Sequence, residues 1–359
     1  MSDRKISYDD LKTLTMKVLD KYGYSKEQAE ITAKVLVEAD FRGVPSHGVA
    51  RLQFYRANLK GGFAFPEGMP EVVHETPMSL VVDGHNGIGP HISDFTMKRV
   101  LQKAEQVGAG FGSVRNSNHY GMAGFWAEMA AEKDFIGMSF CNTRACANPT
   151  FGRERILGTN PVSFAIPSAG KTNFMLDMAT TTVAHGKIEV YERRDLDMPK
   201  GWAVDENGAD TTDTKHFQEL FRSDQPDGGH LFLGGAGEIL GGHKGYGMGL
   251  FVDVLCAGMS MGSWSRDTFK APGSGITHFF GAIRTDLFGD KEEIKKHVEF
   301  ILQEVRDSNK AEGQDRIYIH GEKEAEARSR NMEIGIVLDD ATQALMNKYA
   351  DEFGFEKPF

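Results

Sequence analysis

The 359-residue sequence has little cysteine and no long uninterrupted run of apolar residues. Its three cysteines, at 141, 146 and 256, are too few and too widely spaced for a disulfide framework or a zinc site. The longest apolar run, 245–262, contains Asp253 and five glycines, which favours a buried helix over a membrane span. The first residues carry charges with no apolar region behind them, so we expect no signal peptide and a cytoplasmic location.

Positive charge is also scarce. The formal net charge is −10 and no basic run or stripe occurs, which argues against nucleic acid as a partner. With a buried helix favoured at 245–262, we expect no membrane partner either. Despite 12 histidines there is no His-Glu-x-x-His pattern and no Cys/His cluster, so we expect no catalytic metal. An acidic protein that binds an anionic substrate must concentrate positive charge locally, which draws attention to Arg51 and Lys244.

Hydrophobic periodicity predicts helices near both chain ends and a mixture of strands and helices between them. Serine capping patterns at Ser7 and Ser25 each precede a helical pattern, and a third helix is predicted from Ser46 to Gly61. Farther along, the pattern predicts strands at 80–82, 111–114, 135–140 and 162–166, and helices at 95–107, 122–133, 291–308, 322–331 and 340–353. This alternation predicts an α/β or α+β central domain. The polar segment 195–229 predicts an exposed excursion.

A histidine and an arginine stand four residues apart near the N-terminus, at His47 and Arg51. With Ser46 as an N-cap, the imidazole would lie in the first turn of a helix, where the helix dipole lowers a histidine pKa. A neutral imidazole can take a proton from a hydroxyl, and an arginine can pair bidentately with a carboxylate. The alternative is a histidine that only hydrogen-bonds a turn, and Arg51 favours the chemical role.

A second histidine, His119, lies in a polar loop between a predicted strand and a predicted helix. Ligands of open α/β sheets gather at such loops, which favours a functional role. An equally good alternative is a loop histidine that hydrogen-bonds its neighbours Asn116 or Asn118. The sequence alone leaves both interpretations open.

Glycine-rich and turn motifs give weaker signals. The run 235–241 is one residue too long for the dinucleotide fingerprint, and the next glycines, around Lys244, lack the Walker spacing. A glycine hinge before a buried helix is the alternative. Residues 158–161 read as an ordinary polar turn. Asp177, at a predicted strand end, is placed to hold a ribose diol or to cap a helix.

Five motifs occur together and in order along nearly the whole chain. They are Ser46-His47-Gly48-Val49-Ala50-Arg51, Asn116-x-x-His119-Tyr120-Gly121, Gly158-Thr159-Asn160-Pro161, Asp177-Met178-Ala179-Thr180 and Gly242-His243-Lys244-Gly245-Tyr246-Gly247. In these motifs the sequence resembles the malate/L-lactate dehydrogenase-like family of non-Rossmann NAD(P)-dependent oxidoreductases. That family also includes sulfolactate and ureidoglycolate dehydrogenases, diketogulonate reductase and cyclic imino acid reductases.

The resemblance implies an α+β fold with a central, largely antiparallel sheet domain that binds the nicotinamide cofactor. A helical domain would be built from both chain ends. We expect residues 1–72 and 290–359 in the helical domain and residues 73–289 in the cofactor-binding domain. The resemblance also implies a homodimer.

The same resemblance implies roles for individual residues. His47 would be the proton donor or acceptor, with Ser46 as its hydrogen-bonding relay, and His119 is a second candidate because family members differ on this point. Arg51 and Thr159 match substrate-contacting positions. The positions that match cofactor contacts are Tyr120, Gly121, Thr143, Asp177, Met178, Ala179, Lys244, His320, Gly321 and Glu322. His320 departs from the family pattern, which more often reads Pro-Gly-Glu there.

We therefore predict an NAD(P)-dependent 2-hydroxyacid dehydrogenase that oxidises malate to oxaloacetate, with NAD as the cofactor and NADP as the alternative. A rival within the family is a dehydrogenase or reductase of lactate, sulfolactate, ureidoglycolate, diketogulonate or a cyclic imino acid. A rival from another class is a catalytically silent ligand-binding paralogue.

Overall fold

The computed structural model describes residues 4–359, with helices at both ends of the chain and strands between them. The helices, α1 to α11 in chain order, are Tyr8–Lys21, Lys26–Phe41, Leu52–Lys60, Gly89–Val107, Ala123–Ala131, His185–Arg193, Thr214–Arg222, Gly242–Asp253, Lys291–Asp307, Glu322–Ile334 and Asp340–Phe353. The strands, β1 to β10, are Glu71–Glu75, Ser79–Asp83, Ala109–Ser117, Phe135–Cys141, Val162–Ile166, Phe174–Met178, Ala203–Val204, Asp210–Thr211, Gly229–His230 and Ile276–Arg284. The predicted α+β class is confirmed.

The first two helices begin where the serine patterns predict. The Ser7 hydroxyl accepts a backbone N–H in the first turn of α1, and Ser25 and Gln28 form a complete capping box on α2. Both helices bury apolar side chains in a cluster that also contains residues of α11. Ile6 and Ile336 pair as a short antiparallel bridge, so the two chain ends share one core.

The central sheet is largely antiparallel, as predicted. Its strands follow the order β1-β2-β3-β10-β4-β5-β6, and β2 and β3 form its parallel pair. Helices α4 and α5 pack on this sheet around a core that includes Val100, Trp126 and Phe280. The domain boundaries near residues 72 and 290 stay a prediction.

The third helix begins later than predicted. Residues 45–47 and 49–51 form two 3₁₀ turns, and α3 begins only at Leu52. Gly48, between the turns, lies so close to Asp40 of α2 that an added Cβ would be 1.8 Å from the carboxylate. That carboxylate also accepts the next backbone N–H at 2.8 Å. A tertiary contact that the local pattern cannot show therefore reshapes this segment.

The polar segment 195–229 is more structured than predicted. It contains α7 and strands β7 and β8, and β7 also pairs with β9. Met198, Trp202 and Phe217 are buried together in a small core of its own. These side chains are too far apart in sequence to give a periodic signal, so the prediction of an exposed excursion is wrong for its inner face.

The apolar run 245–262 forms most of α8 and a following π-helical turn, Val254–Gly258. Val252 and Cys256 are fully buried, whereas Phe251 and Val254 are 54% and 58% exposed. The prediction of a buried helix is therefore right for one face only. Over residues 4–359, none of the helices combines the length and apolar character that a membrane crossing requires.

Candidate active site

A cavity of about 450 Å³ opens where the ends of β4 and β6 meet the start of α5 and the segment 318–324. Most of the residues predicted for the site line it together. They are Ser46, His47, His119, Tyr120, Gly121, Thr143, Thr159, Asp177, Met178, Ala179, His320 and Gly321. Sequence motifs as much as 275 residues apart therefore meet in one place.

Two of the predicted cofactor residues are not in this lining. The Glu322 carboxylate pairs with Arg306 at 2.7 Å and with Arg316 at 3.0 Å, and these bonds fix the start of α10. Lys244 is exposed in the first turn of α8. Lys323 and Glu324, which the sequence did not single out, line the cavity instead. The predicted contacts of Glu322 and Lys244 with a cofactor stay predictions.

The two predicted histidines lie against each other in the cavity wall. The imidazole rings of His47 and His119 are stacked, with centroids 5.5 Å apart and planes inclined by 22°. The Ser46 hydroxyl lies 3.0 Å from Nδ1 of His47, inside the 3₁₀ turn rather than at a helix N-cap. This pairing matches the relay predicted for Ser46.

The surroundings keep both imidazoles neutral. Burial, and secondly the charge of Arg51, lowers the pKa of His47 to about 4. Burial, followed by the charges of His47 and Arg51, holds the pKa of His119 well below its usual range. The helix dipole that the sequence suggested is not the cause, because no α-helix begins at Ser46.

Arg51 is not in the cavity lining, although its charge acts on His47. Its Nε donates to the backbone carbonyl of Ser46 at 2.5 Å, which holds the guanidinium beside the histidine turn. The charges of Glu189 and Arg144 also act on Arg51. The guanidinium is therefore fixed at the histidine turn and also interacts with charges that lie outside the cavity lining.

The hydrogen bonds of His119 fix its tautomer. Its Nδ1 lies 3.0 Å from the Tyr55 hydroxyl and accepts the backbone N–H of Gly121 at 3.3 Å. Because Nδ1 accepts, neutral His119 carries its proton on Nε2. The Asn116 amide instead donates to Asp83, and the Asn118 amide donates to backbone carbonyls, including that of Asn86, both at 3.0 Å. The alternative that neighbouring asparagines satisfy His119 is therefore wrong.

A buried polar hub positions the two threonines of the site. Asn160 donates to the Asp253 carboxylate at 3.0 Å and accepts the N–H of Thr143 at 3.2 Å. The Thr143 hydroxyl in turn accepts the N–H of Thr159 at 2.9 Å. Asp253 also accepts from the backbone of Ser265 at 2.9 Å. The sequence pattern indicates only a polar turn at Asn160, and for Asp253 it shows only a charge within an apolar run.

Asp177 marks the part of the cavity formed by β6 and α5. Its Oδ2 accepts the N–H of Gly124 at 2.6 Å, where an added Cβ would come within 2.8 Å of the same oxygen. The side chain is open to the cavity, yet desolvation by the surrounding wall raises its pKa to about 6. Met175 and Met178 give the neighbouring wall an apolar surface. This part of the cavity combines an apolar wall with a carboxylate.

Comparisons with known proteins identify the family of this chain. Residues 6–347 match the family described as malate/L-lactate dehydrogenase. The chain belongs to this family. Among its family relatives is the malate dehydrogenase of Pyrococcus horikoshii, which is 40% identical over 354 residues, or 98% of this chain and 96% of the relative. The L-sulfolactate dehydrogenase of Methanocaldococcus jannaschii is 36% identical over 96% of this chain and 95% of its own.

A solved structure of the malate/L-lactate dehydrogenase family has the same fold. The malate dehydrogenase of Entamoeba histolytica superposes with a TM-score of 0.93 and 34% identity, covering 99% of each chain. The protein is therefore an oxidoreductase of a family of NAD(P)-dependent dehydrogenases. The family and the fold that the motifs predict are confirmed.

Proposed function

We propose that this protein oxidises malate to oxaloacetate with NAD. The observation that carries the proposal is the neutral pair His47 and His119, stacked in the cavity wall beside the guanidinium of Arg51. Oxidising a 2-hydroxy acid requires a group that takes the hydroxyl proton and a cation that binds the carboxylate. The relatives named malate dehydrogenase support malate as the substrate.

In the proposed mechanism, His47 is the base and His119 is a hydrogen-bond donor. The Ser46 hydroxyl can accept a hydrogen bond from Nδ1–H of His47, which leaves the lone pair of Nε2 free to take the substrate's hydroxyl proton. His119 carries its proton on Nε2 and donates to the same oxygen, whose charge grows as the proton leaves. A bound NAD would supply the acceptor for the hydride that leaves the carbon carrying the hydroxyl.

Arg51 binds the carboxylate next to the reacting carbon. A guanidinium holds a carboxylate by two parallel hydrogen bonds and so fixes its orientation as well as its position. Burial is the main cause of the low pKa of His47, and the bound anion offsets the second cause, the charge of Arg51. Substrate binding therefore makes His47 a stronger base at the moment when a base is needed.

The residues of the cavity fit a nicotinamide dinucleotide. A volume of about 450 Å³ lies within the range of about 300–1,000 Å³ typical of cofactor sites. Met175 and Met178 offer an apolar wall for the nicotinamide ring. Helix α10 begins without a side-chain cap and carries Lys323 in its first turn, which suits the diphosphate.

Two carboxylates in the lining favour NAD over NADP. Asp177 and Glu324 both line the cavity, and the charge of Glu324 acts on Asp177. Carboxylates accept hydrogen bonds from ribose hydroxyls but repel the additional phosphate of NADP. We expect kcat/KM to be higher with NAD than with NADP. The Glu324→Gln variant should have a smaller difference between the two values.

We also propose a homodimer. The exposed side of α8 and the turn after it carries Met248, Phe251, Val254, Met259 and Met261, which are 37% to 85% exposed. An apolar surface of this kind is typical of a subunit contact. Sedimentation of the full chain tests it: Phe251→Glu should give monomers, whereas Val107→Glu, at an exposed apolar position on α4, should not.

A substrate panel tests the proposed reaction. Malate, lactate, sulfolactate, ureidoglycolate and a cyclic imino acid are each assayed with NAD(H) and NADP(H), while the absorbance of the reduced cofactor is followed. We expect the highest kcat/KM for malate with NAD. A higher value for another substrate would replace malate, and tight NADH binding without any turnover would establish the silent paralogue.

A further inference from the structure

A second cavity of about 520 Å³, which we call the basin, lies beneath the segment 195–229. Helix α7 and the residues after it contribute Phe221, Arg222 and Gln225 to its wall. Arg144, Arg155 and Arg266 line it from other parts of the chain. With Lys270, five cationic side chains line the basin against three carboxylates, Glu154, Glu189 and Asp224, in a protein whose overall charge is negative.

The basin and the active-site cavity share a wall. Thr143 lines the active-site cavity and the next residue, Arg144, lines the basin. Likewise, Ala184 lines the active-site cavity and the next residue, His185, lines the basin. Arg51, whose Nε donates to the carbonyl of Ser46 in the active-site wall, also interacts electrostatically with Arg144 of the basin.

Three of the basin's arginines already have partners. Arg155 donates to backbone carbonyls of the α7 segment, Arg222 pairs with Glu192 at 2.5 Å, and Arg266 pairs with Glu154 at 3.3 Å. The guanidinium carbon of Arg144 lies 5.9 Å from the centre of the Phe221 ring. Among residues 4–359, no carboxylate forms an ion pair with Arg144. Arg144 is therefore available to an anion from outside the protein.

We propose that Arg144 binds the distal anionic group of a dianionic 2-hydroxy acid, while Arg51 binds the carboxylate next to the reacting carbon. This inference rests on the proposed function and adds the substrate class to it. A dianion gives each guanidinium an anionic partner, whereas a monoanion such as lactate leaves Arg144 without one. Arg144 would thus select malate or sulfolactate over lactate.

The test compares kcat/KM for malate and lactate in the wild type and in Arg144→Met. We expect the malate-to-lactate ratio to fall by about 10- to 100-fold, because a charge-assisted hydrogen-bonded pair is lost for one substrate only. The loss should lie mainly in KM for malate, with lactate unchanged. Arg144→Lys should restore part of the ratio, since lysine keeps the charge but not the bidentate geometry.

Arg266→Met is the matched control, because it removes a basin arginine that already has a partner. An equal fall of the ratio in this control, or an unchanged ratio in Arg144→Met, would overturn the inference and leave the proposed reaction intact. Arg144→Gln gives the same comparison if the methionine variant is unstable. A wild type that prefers lactate overturns the inference, and one that turns over no 2-hydroxy acid overturns the proposed function as well.

Discussion

Two pairs of histidines lie in contact in this protein, and they are built differently. His47 and His119 stack at 5.5 Å, and each has its own hydroxyl partner, on Ser46 and Tyr55. His185 and His230 meet edge to face at 5.2 Å and hydrogen-bond directly, Nδ1 to Nε2, at 3.0 Å. In the first pair the two rings do not hydrogen-bond each other, so their nitrogens can bind other groups. In the second pair one nitrogen of each ring forms the bond that joins the segments around His185 and His230.

Titration alone does not distinguish the pairs. Burial lowers the pKa of His47 and of His185 to about 4, and that of His230 to about 3. A lowered histidine pKa therefore indicates burial rather than catalysis. What separates the pairs is whether a ring nitrogen remains for a substrate in the active-site cavity.

The largest expected effect is that of His47→Gln. We expect kcat/KM for malate to fall by about 10²- to 10⁴-fold, because the glutamine amide cannot take the hydroxyl proton. NADH binding, followed by fluorescence, should be unchanged. A variant with full activity on every 2-hydroxy acid would remove His47 from the mechanism and end the contrast between the pairs.

The pH dependence sharpens the same comparison. Because the pKa of His47 is about 4, the base is already neutral above pH 5, and kcat/KM for malate oxidation should be level from pH 5.5 to 8. Oxaloacetate reduction needs the protonated imidazole, so its kcat/KM should fall about tenfold per unit over that range. Initial rates in both directions check this. An inflection near pH 7 in either profile contradicts the lowered pKa.

A smaller effect is expected from His119→Gln. The glutamine amide can still donate a hydrogen bond, so we expect a loss of about tenfold in kcat. Tyr55→Phe, which removes the hydroxyl beside Nδ1, should cost less than this. Single-turnover rates measured with malate compare the variants. If His119→Gln costs more than His47→Gln, the base is His119 and the assigned roles are exchanged.

The smallest effect on activity is expected from His230→Gln. Losing the bond to His185 should lower the free energy of unfolding by about 1 kcal/mol, with kcat unchanged. The native pKa of His230 is lowered, so the wild type loses stability as pH falls below about 6.5, and the variant should lose less. Urea unfolding at pH 7 and pH 5 measures both. A large loss of kcat would place the second pair in the mechanism.

Much of the fold follows from local patterns. Capping serines and apolar spacing predicted the starts of α1 and α2, and β-rich runs predicted strands that the structure contains. The patterns failed where distant contacts decide the backbone. Asp40 of α2 holds the turn at Gly48, and the core around Phe217 forms only when α6 and α7 pack together.

The candidate site divides in the same way. Motif residues such as His47, His119 and Asp177 were predicted, because their residue types carry recognisable chemistry. Asn160, Asp253 and Tyr55 were not predicted as parts of the site. Their roles depend on hydrogen bonds across the fold, and a short-range pattern has no signal for such bonds.

The sequence by itself determined the chemical groups and the family: an imidazole, a hydroxyl and a guanidinium close together in the chain, in an acidic protein with few cysteines. Only the tertiary structure decided which nitrogen of His119 carries the proton and why the pKa of His47 is low. It also decided which of the four basin arginines has neither a carboxylate nor a carbonyl partner among residues 4–359. The reason is physical. Covalent bonds fix the order of groups along the chain. Solvation, hydrogen bonds and charge–charge interactions depend instead on distances in space, which the packing of the chain sets.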